Sequence, residues 1–230
     1  MSLIEIRGLS KNYGHVPALD RLNLNLDGGR IVGLAGSNGS GKTTLLRILA
    51  AFDAAYRGDV RLEGHEPGVE TRKFVSFLPD KSALSDWMTA DQVIDLYKTF
   101  FSDFDEGKAR EMLEFFKLNG AQQLRHMSKG MQEKVQIMLV MSRDAKIYLL
   151  DEPISGVDPA SRKTILRGII NQASQHSLVL LSTHLIQDIE AVVDEIIFMD
   201  RGQVILHEEA DKMRSERGQS LNEAFEEIFA

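Results

Sequence analysis

Three short stretches near the start alternate between apolar and polar residues: Leu3-Ile4-Glu5-Ile6-Arg7, Leu22-Asn23-Leu24-Asn25-Leu26 and Val60-Arg61-Leu62-Glu63. Each is bounded by Gly, Asn or Asp, and a period of two predicts half-buried antiparallel strands. Between them Arg30 to Ala35 is a nearly continuous apolar run that enters a glycine-rich turn. Lys42 to Ala51 follows, with Leu45, Leu46, Ile48 and Leu49 at helical spacing, so this region predicts strand, loop, helix. From Thr89 to Arg143 the apolar positions fall three and four apart. A Thr89-x-x-Gln92 capping box opens one helix, Phe104 to Leu118 forms a second, and a third runs from Ser128 to Arg143. Beyond it apolar strands, Lys146 to Leu150, Ser177 to Ser182 and Glu195 to Met199, alternate with helices from about Pro159 and about Leu185. Strands buried on both faces and joined by helices predict a parallel sheet. The segment Gln203 to Leu206 and an acidic amphipathic tail, Leu221 to Ala230, finish the chain. The expectation is one α/β domain: a core of residues 1–79 and 144–230 with a largely parallel, mixed sheet and an N-terminal antiparallel β subdomain, and an inserted helical subdomain of residues 80–143.

Composition narrows the classes of function. With 43% hydrophobic residues among 230, the chain can bury a substantial core and does not resemble a disordered segment. Its 27 basic and 34 acidic residues give a net charge of −7, so the whole-chain field repels phosphate polymers, and no nucleic-acid partner is expected. The absence of cysteine removes disulfides, thiolate metal sites and thiol nucleophiles together. No basic n-region followed by an apolar run opens the chain, and no stretch of about 18 apolar residues occurs, so a cytosolic protein that does not cross a bilayer by itself is expected.

Chemistry enters with Gly36-Ser37-Asn38-Gly39-Ser40-Gly41-Lys42-Thr43, which fits G-x-x-x-x-G-K-[ST] between a predicted strand and a predicted helix. Glycines let successive backbone N–H groups converge on one concavity, and the helix N-terminus adds partial positive charge. In such a P-loop Lys42 reaches the β- and γ-phosphates, the Thr43 hydroxyl ligates Mg²⁺ and Thr44 can donate toward the α-phosphate. Lys146-Ile-Tyr-Leu-Leu-Asp151-Glu152-Pro153 delivers two carboxylates at the C-terminal end of a buried strand, where open parallel sheets bind ligands. Asp151 can hold Mg²⁺ through water and Glu152 can polarise an attacking water; a plain strand terminus stopped by proline is the alternative.

The order of the P-loop, Met127-Ser-Lys-Gly-Met-Gln132, Leu149-Leu-Asp-Glu-Pro153, Ser155-Gly-Val-Asp158 and Ser182-Thr-His184 resembles the ATP-binding subunits of ABC transporters over nearly the whole chain. The resemblance implies a P-loop NTPase fold and an ATPase in which two subunits, identical or paralogous, sandwich two ATP molecules, each with Mg²⁺. It implies that Tyr13 stacks on adenine, that Ser128 and Gly130 donate to the γ-phosphate held by the opposite subunit, that Asp158 communicates between sites, and that His184 holds the γ-phosphate and water. Work would be done in an integral-membrane permease subunit, with this chain peripheral on the inner face of the membrane. Local roles also suffice for several of these residues: Ser128 and Asp158 as helix N-caps, Asp158 with Pro159 at the first helical position, and Ser182-Thr183 as a cap that leaves His184 incidental.

Two departures from the family pattern stand out. The commonest signature, Leu-Ser-Gly-Gly-Gln, is here Met127-Ser128-Lys129-Gly130-Met131, with the next glutamine at Gln132. Its Ser-Lys-Gly-Met core, and the tail from Leu221, resemble the branch that works with type-2 exporter permeases. In Phe77-Leu78-Pro79-Asp80, aspartate replaces the glutamine usual beside the metal and water; being a methylene shorter, Asp80 is expected in an outer-shell metal role, or as a solvent-facing loop residue. Trp87, with Met88 and Leu84, is either a permease-docking aromatic or an ordinary core residue. The remaining histidines, His15, His65, His126, His176 and His207, show no metal-ligand spacing. A soluble ABC ATPase that remodels a ribosome or assembly, and a P-loop kinase of a small molecule, are the rival readings.

Overall fold

The computed structural model describes residues 2–229. The alternating N-terminal stretches become β1 (Ser2–Tyr13), β2 (Val16–Asp27) and β4 (Arg57–Leu62), an antiparallel sheet in the order β2-β1-β4. Most of their buried leucines and isoleucines recur at alternate positions. Ile4, Ile6, Leu9, Leu22, Leu24, Leu26, Val60 and Leu62 join one hydrophobic cluster, which leaves the polar partners to solvent.

The second sheet has six strands in the order β5-β6-β7-β3-β8-β9: β3 (Arg30–Ala35), β5 (Val75–Leu78), β6 (Ile147–Asp151), β7 (Leu178–Thr183), β8 (Glu195–Asp200) and β9 (Gln203–Glu209). The first five run parallel, and β9 closes one edge antiparallel to β8. Because both faces are covered, the central strands are mostly apolar on successive positions yet still divide by parity. Ile147 and Leu149, Leu178 and Leu180, and Ile197 and Met199 face the cluster shared with the antiparallel sheet. Tyr148 and Leu150, Val179 and Leu181, and Ile196 and Phe198 face a second cluster built with the helices. One helix, α1 (Lys42–Leu49), lies in the first cluster, where Leu45, Leu46, Ile48 and Leu49 are fully buried between the two sheets.

The middle of the chain supplies α2 (Ala90–Phe100), α3 (Glu106–Phe115) and α4 (Lys129–Met141). Thr89 and Gln92 form the reciprocal capping box, with Thr89 Oγ1 accepting from the Gln92 amide at 3.2 Å and Gln92 Oε1 accepting from the Thr89 amide at 2.9 Å. The C-terminal part adds α5 (Pro159–Gln172), α6 (Ile186–Ile189), α7 (Ala210–Arg217) and α8 (Leu221–Phe229), the last packing Phe225 and Phe229 against Phe198. Among the described residues no helix is long and apolar enough to cross a membrane.

Some boundaries differ from the sequence pattern. The helix expected from Leu185 is a single turn, the one expected over Phe104 to Leu118 is two to three residues shorter at each end, and Ala230 lies outside the described residues. The strand β5, only four residues long, carries no periodicity and is set by pairing with β6.

Arg143 joins the helical segment to the sheet. Its side chain is 6% exposed, donates to Asp103 at 2.9 Å and to the carbonyl oxygens of Val75 at 2.8 Å and Arg72 at 2.9 Å, and lies 4.3 Å from the Phe101 ring centroid. Every guanidinium face is therefore used, and removing it strands a half-buried carboxylate and two carbonyls. Arg143→Leu is expected to lower stability by about 3 kcal/mol, measured as a shift of the urea unfolding midpoint at unchanged slope.

Candidate functional site

The loop after β3 curls so that α1 begins at Lys42 directly behind Gly41. Gly41 has φ +106°, and a β-carbon there would sit 2.5 Å from the Ala18 carbonyl oxygen, so only glycine fits both the turn and the close approach of β2. The helices α2 to α5 are each capped by a side chain of their own, Thr89, Asp105, Ser128 and Asp158, whereas α1 starts with no side-chain cap. Its first-turn N–H groups thus face an open cavity with the helix dipole behind them, which favours an anion.

That cavity, about 500 Å³, is lined by Asn38 through Thr44, by Tyr13 and Val16 to Ala18 from the β1–β2 hairpin, and by Asp80, Glu152, Ser155 and His184. Lys42 is 6% exposed; its ammonium donates to the carbonyl oxygens of Gly36 at 2.8 Å and Ser37 at 3.1 Å, and Ser40 Oγ lies 3.5 Å away. Burial pushes the Lys42 pKa down, opposed by the nearby Glu152 and Asp151 carboxylates. A cation held by loop carbonyls at the wall of an anion site can exchange them for phosphate oxygens with little movement.

At the floor, Asp151 ends β6 and is 2% exposed. Its Oδ1 accepts from Thr43 Oγ1 at 3.1 Å and from Ser182 Oγ at 2.7 Å, and the Ser182 oxygen in turn accepts from the Glu152 amide at 2.9 Å. One hydroxyl thereby ties both carboxylate-bearing residues of the Asp-Glu pair to the end of β7. Glu152 is held with φ +52°, a left-handed conformation costly for a side-chain-bearing residue. Its carboxylate lies 2.9 Å from His184 Nδ1. Burial raises the pKa values of both Asp151 and Glu152 above the ordinary carboxylate range, opposed at Asp151 by the Ser182 and Thr43 hydrogen bonds and at Glu152 by His184 and Lys42. Thr43, Asp151 and Asp80 offer hard oxygen donors in one place, the donor chemistry that Mg²⁺ takes.

The structure places Ser128, Gly130 and Asp158 elsewhere. Ser128 caps α4 by accepting from the Met131 amide at 3.3 Å, Asp158 caps α5 by accepting from the Ser161 amide at 3.0 Å, and Gly130 abuts Ser161 and Asp158. The two helix starts form a joint surface separate from the P-loop cavity. Gln132, displaced one position from the common signature, turns inward, its Nε2 donating to the carbonyl oxygens of Leu124 at 2.8 Å and Met127 at 3.3 Å. Lys129 lies over Gly156, where a β-carbon would collide with its ammonium.

Two residues escaped the sequence reading. Ser182 carries the Asp151–Glu152 link, although it stood only as the first letter of a Ser-Thr-His run. Glu133, on α4, has its carboxyl pushed up to about 7 by burial, with Asp80 adding to the rise and Lys129 opposing it; a charged residue in a helix gives no sequence signal of burial. Trp87 is 55% exposed, a surface aromatic and not a core one. Among the described residues no group of three or more His, Asp or Glu is arranged to hold a metal ion by itself.

Residues 19–155 match the family model described as ABC transporter. Over 223 residues the chain is 29% identical to the daunorubicin resistance ATP-binding protein DrrA3 of Streptomyces coeruleorubidus, covering 94% of this chain and 71% of that protein. It is also 29% identical over 211 residues to the SkfA peptide export ATP-binding protein SkfE of Bacillus subtilis, covering 89% and 88%. A solved structure described as the ATP-binding subunit of an ABC transporter superposes with a TM-score of 0.86 at 26% identity, covering 99% of this chain and all of the other. A match over more than half the chain, on a fold shared end to end, makes this protein a member of the ABC transporter family, as one of its ATP-binding, ATP-hydrolysing subunits.

Proposed function

We propose that this chain hydrolyses ATP in the P-loop cavity as half of a nucleotide-sandwiched dimer and thereby drives export through a separate membrane permease. The observation that carries the reading is the division of the motif residues. Lys42, Thr43, Asp80, Glu152 and His184 share one cavity, with Asp151 hydrogen-bonded to Thr43 beneath it, while Ser128 and Gly130 lie outside its lining at a second helix start, where a phosphate held by another molecule would meet them.

On this reading the triphosphate lies along residues 36–44, its charge met by the amides of Gly39 and Gly41, by the start of α1 and by the Lys42 ammonium. Thr43 and Asp151, with Asp80 nearby, would hold Mg²⁺, which would supply positive charge against the phosphates. Glu152, kept in place by Ser182, orients a water for in-line attack and accepts its proton. His184, whose Nδ1 is anchored on Glu152, turns its other ring nitrogen to the γ-phosphate. Ser128, Gly130 and the neighbouring α4 amides of the second copy complete the donor set, so that closure and chemistry are coupled. Asp158, at the junction of the α4 and α5 starts, relays the state of one site to the other. We assign residues 1–79 and 144–230 to the catalytic core and 80–143 to a helical subdomain that carries the permease contact through the exposed Trp87. Export is favoured by the likeness to the peptide export protein and by the Ser-Lys-Gly-Met signature core.

Two experiments test the assignment. Glu152→Gln is expected to keep ATP binding, lower turnover by about 10²–10⁴-fold and accumulate an ATP-bound dimer on size exclusion; undiminished turnover removes Glu152 from its role. Asp80→Gln and Asp80→Ala are expected to move the Mg²⁺ dependence of hydrolysis in opposite directions, and indifference to both makes Asp80 a solvent-facing loop residue.

A further inference from the structure

The floor of the P-loop cavity is rigid, but its outer wall is Tyr13, the last residue of β1, at the tip of a two-residue hairpin with Gly14 in a left-handed turn. Hairpin tips are where a sheet frays first. A platform for a nucleotide base must nevertheless stay at a fixed distance from the phosphate cradle, and the β1–β2 pairing alone does not register the two.

A buried ion pair supplies that registration. Lys11, 6% exposed, donates from its ammonium to Asp53 Oδ1 at 2.6 Å and to the Ala55 carbonyl oxygen at 2.8 Å. The other oxygen of the same carboxylate, Oδ2, accepts from the Tyr13 hydroxyl at 2.8 Å. The Lys11 hydrogen bond holds the Asp53 carboxyl below its ordinary pKa, so it stays an ionised acceptor and the phenol bond is charge-assisted. Asp53 lies four residues past the end of α1 and is tied back to it: the amides of Phe52 and Asp53 donate to the Arg47 carbonyl oxygen at 2.8 and 3.3 Å. The segment that grips Tyr13 is thus pinned to the last turn of the helix that starts at Lys42. The eight residues of that helix span about 12 Å and set the distance between phosphate site and ring.

The same lysine closes one face of the ring. Lys11 Nζ lies 4.9 Å from the Tyr13 centroid and lines a separate recess with Ser10, Asn12 and Ala55, so the ring face toward the P-loop cavity is the one left for a base.

We propose that Asp53, locked by Lys11, is a positioning residue for nucleotide binding: through α1 it holds the Tyr13 ring in register with the phosphate cradle, so that the pair determines affinity for the base and leaves affinity for the phosphates untouched. The proposal rests on the nucleotide site assigned above.

Equilibrium binding of ATP and of inorganic tripolyphosphate to the full chain separates the contributions. Asp53→Ala and Tyr13→Phe are each expected to weaken ATP binding about three- to tenfold, the range of one charge-assisted hydrogen bond or one stacked base, with tripolyphosphate binding unmoved. The double variant is expected to be no weaker than either single one, because both remove the same contact. Tyr13→Phe deletes a single hydroxyl from a half-exposed side chain, so it still reports if Asp53→Ala does not fold. Equal losses for ATP and tripolyphosphate, or no loss for ATP in Tyr13→Phe, overturn the proposal. A Lys42→Ala chain that still binds both ligands at full strength overturns the nucleotide-site reading itself. Loss of both ligands in Lys42→Ala, with ATP binding intact in Tyr13→Phe, refutes the role of Asp53 alone.

Discussion

The structure depends on one carboxylate oxygen. Asp151 Oδ1 accepts a hydroxyl from Thr43 at the start of α1 and another from Ser182 at the end of β7, and so draws the P-loop and two strand ends to one point. Burial makes this costly unless both donors are present, since a carboxylate removed from water needs its hydrogen bonds. The parallel sheet delivers it there because β3, β6 and β7 are neighbours, in the order β6-β7-β3, and all end on the same side. From that knot the strained backbone of Glu152, the ring of His184 and the curl of Lys42 follow as consequences of chain connectivity.

Much of this was legible in the residues because the physics behind it is local. The alternation in β1, β2 and β4, the Thr89–Gln92 capping box, the glycines of residues 36–41 and the proline after Asp158 act within a few positions, and the structure shows each where its spacing places it. What stayed illegible depends on partners distant in the chain. The strand β5 exists because β6, 72 positions on, offers a ladder. Arg143 reads as a helix-terminal cation, and only the fold reveals that it bonds Asp103 and the carbonyl oxygens of Arg72 and Val75. Ser182 has the same character: a cap by sequence, a bridge 31 positions back by structure.

The candidate site divides along the same line. Residues of contiguous motifs were nameable in advance, and the cavity is lined by residues 38–44, Glu152 and His184 among them, while Ser128, Gly130 and Asp158 stand at separate helix starts. The hairpin residues Val16 to Ala18 and the Lys11–Asp53 pair behind Tyr13 were not, because each joins the site through packing between distant segments and carries no motif of its own. A motif marks where a ligand's charge is met, whereas the groups that set its orientation are spread over whichever elements the fold brings near.

The altered signature illustrates how two local irregularities can answer each other. Lys129 stands where the common pattern has glycine, and its stem needs room beside the loop of residues 155–158. That room exists because the position it crosses is Gly156, itself in a left-handed conformation at φ +70°. The residue that would obstruct the lysine is thus absent at the one place where obstruction matters, and a backbone free to turn left-handed keeps the loop from being forced aside. The charge added by Lys129 is partly met by Glu133 one helical turn on, whose carboxyl it draws back toward ionisation against burial and against Asp80. The start of α4 and the loop after Pro153 therefore meet at Lys129 and Gly156, and the charges of Lys129 and Asp80, the two departures from the common pattern, act in opposite senses on Glu133.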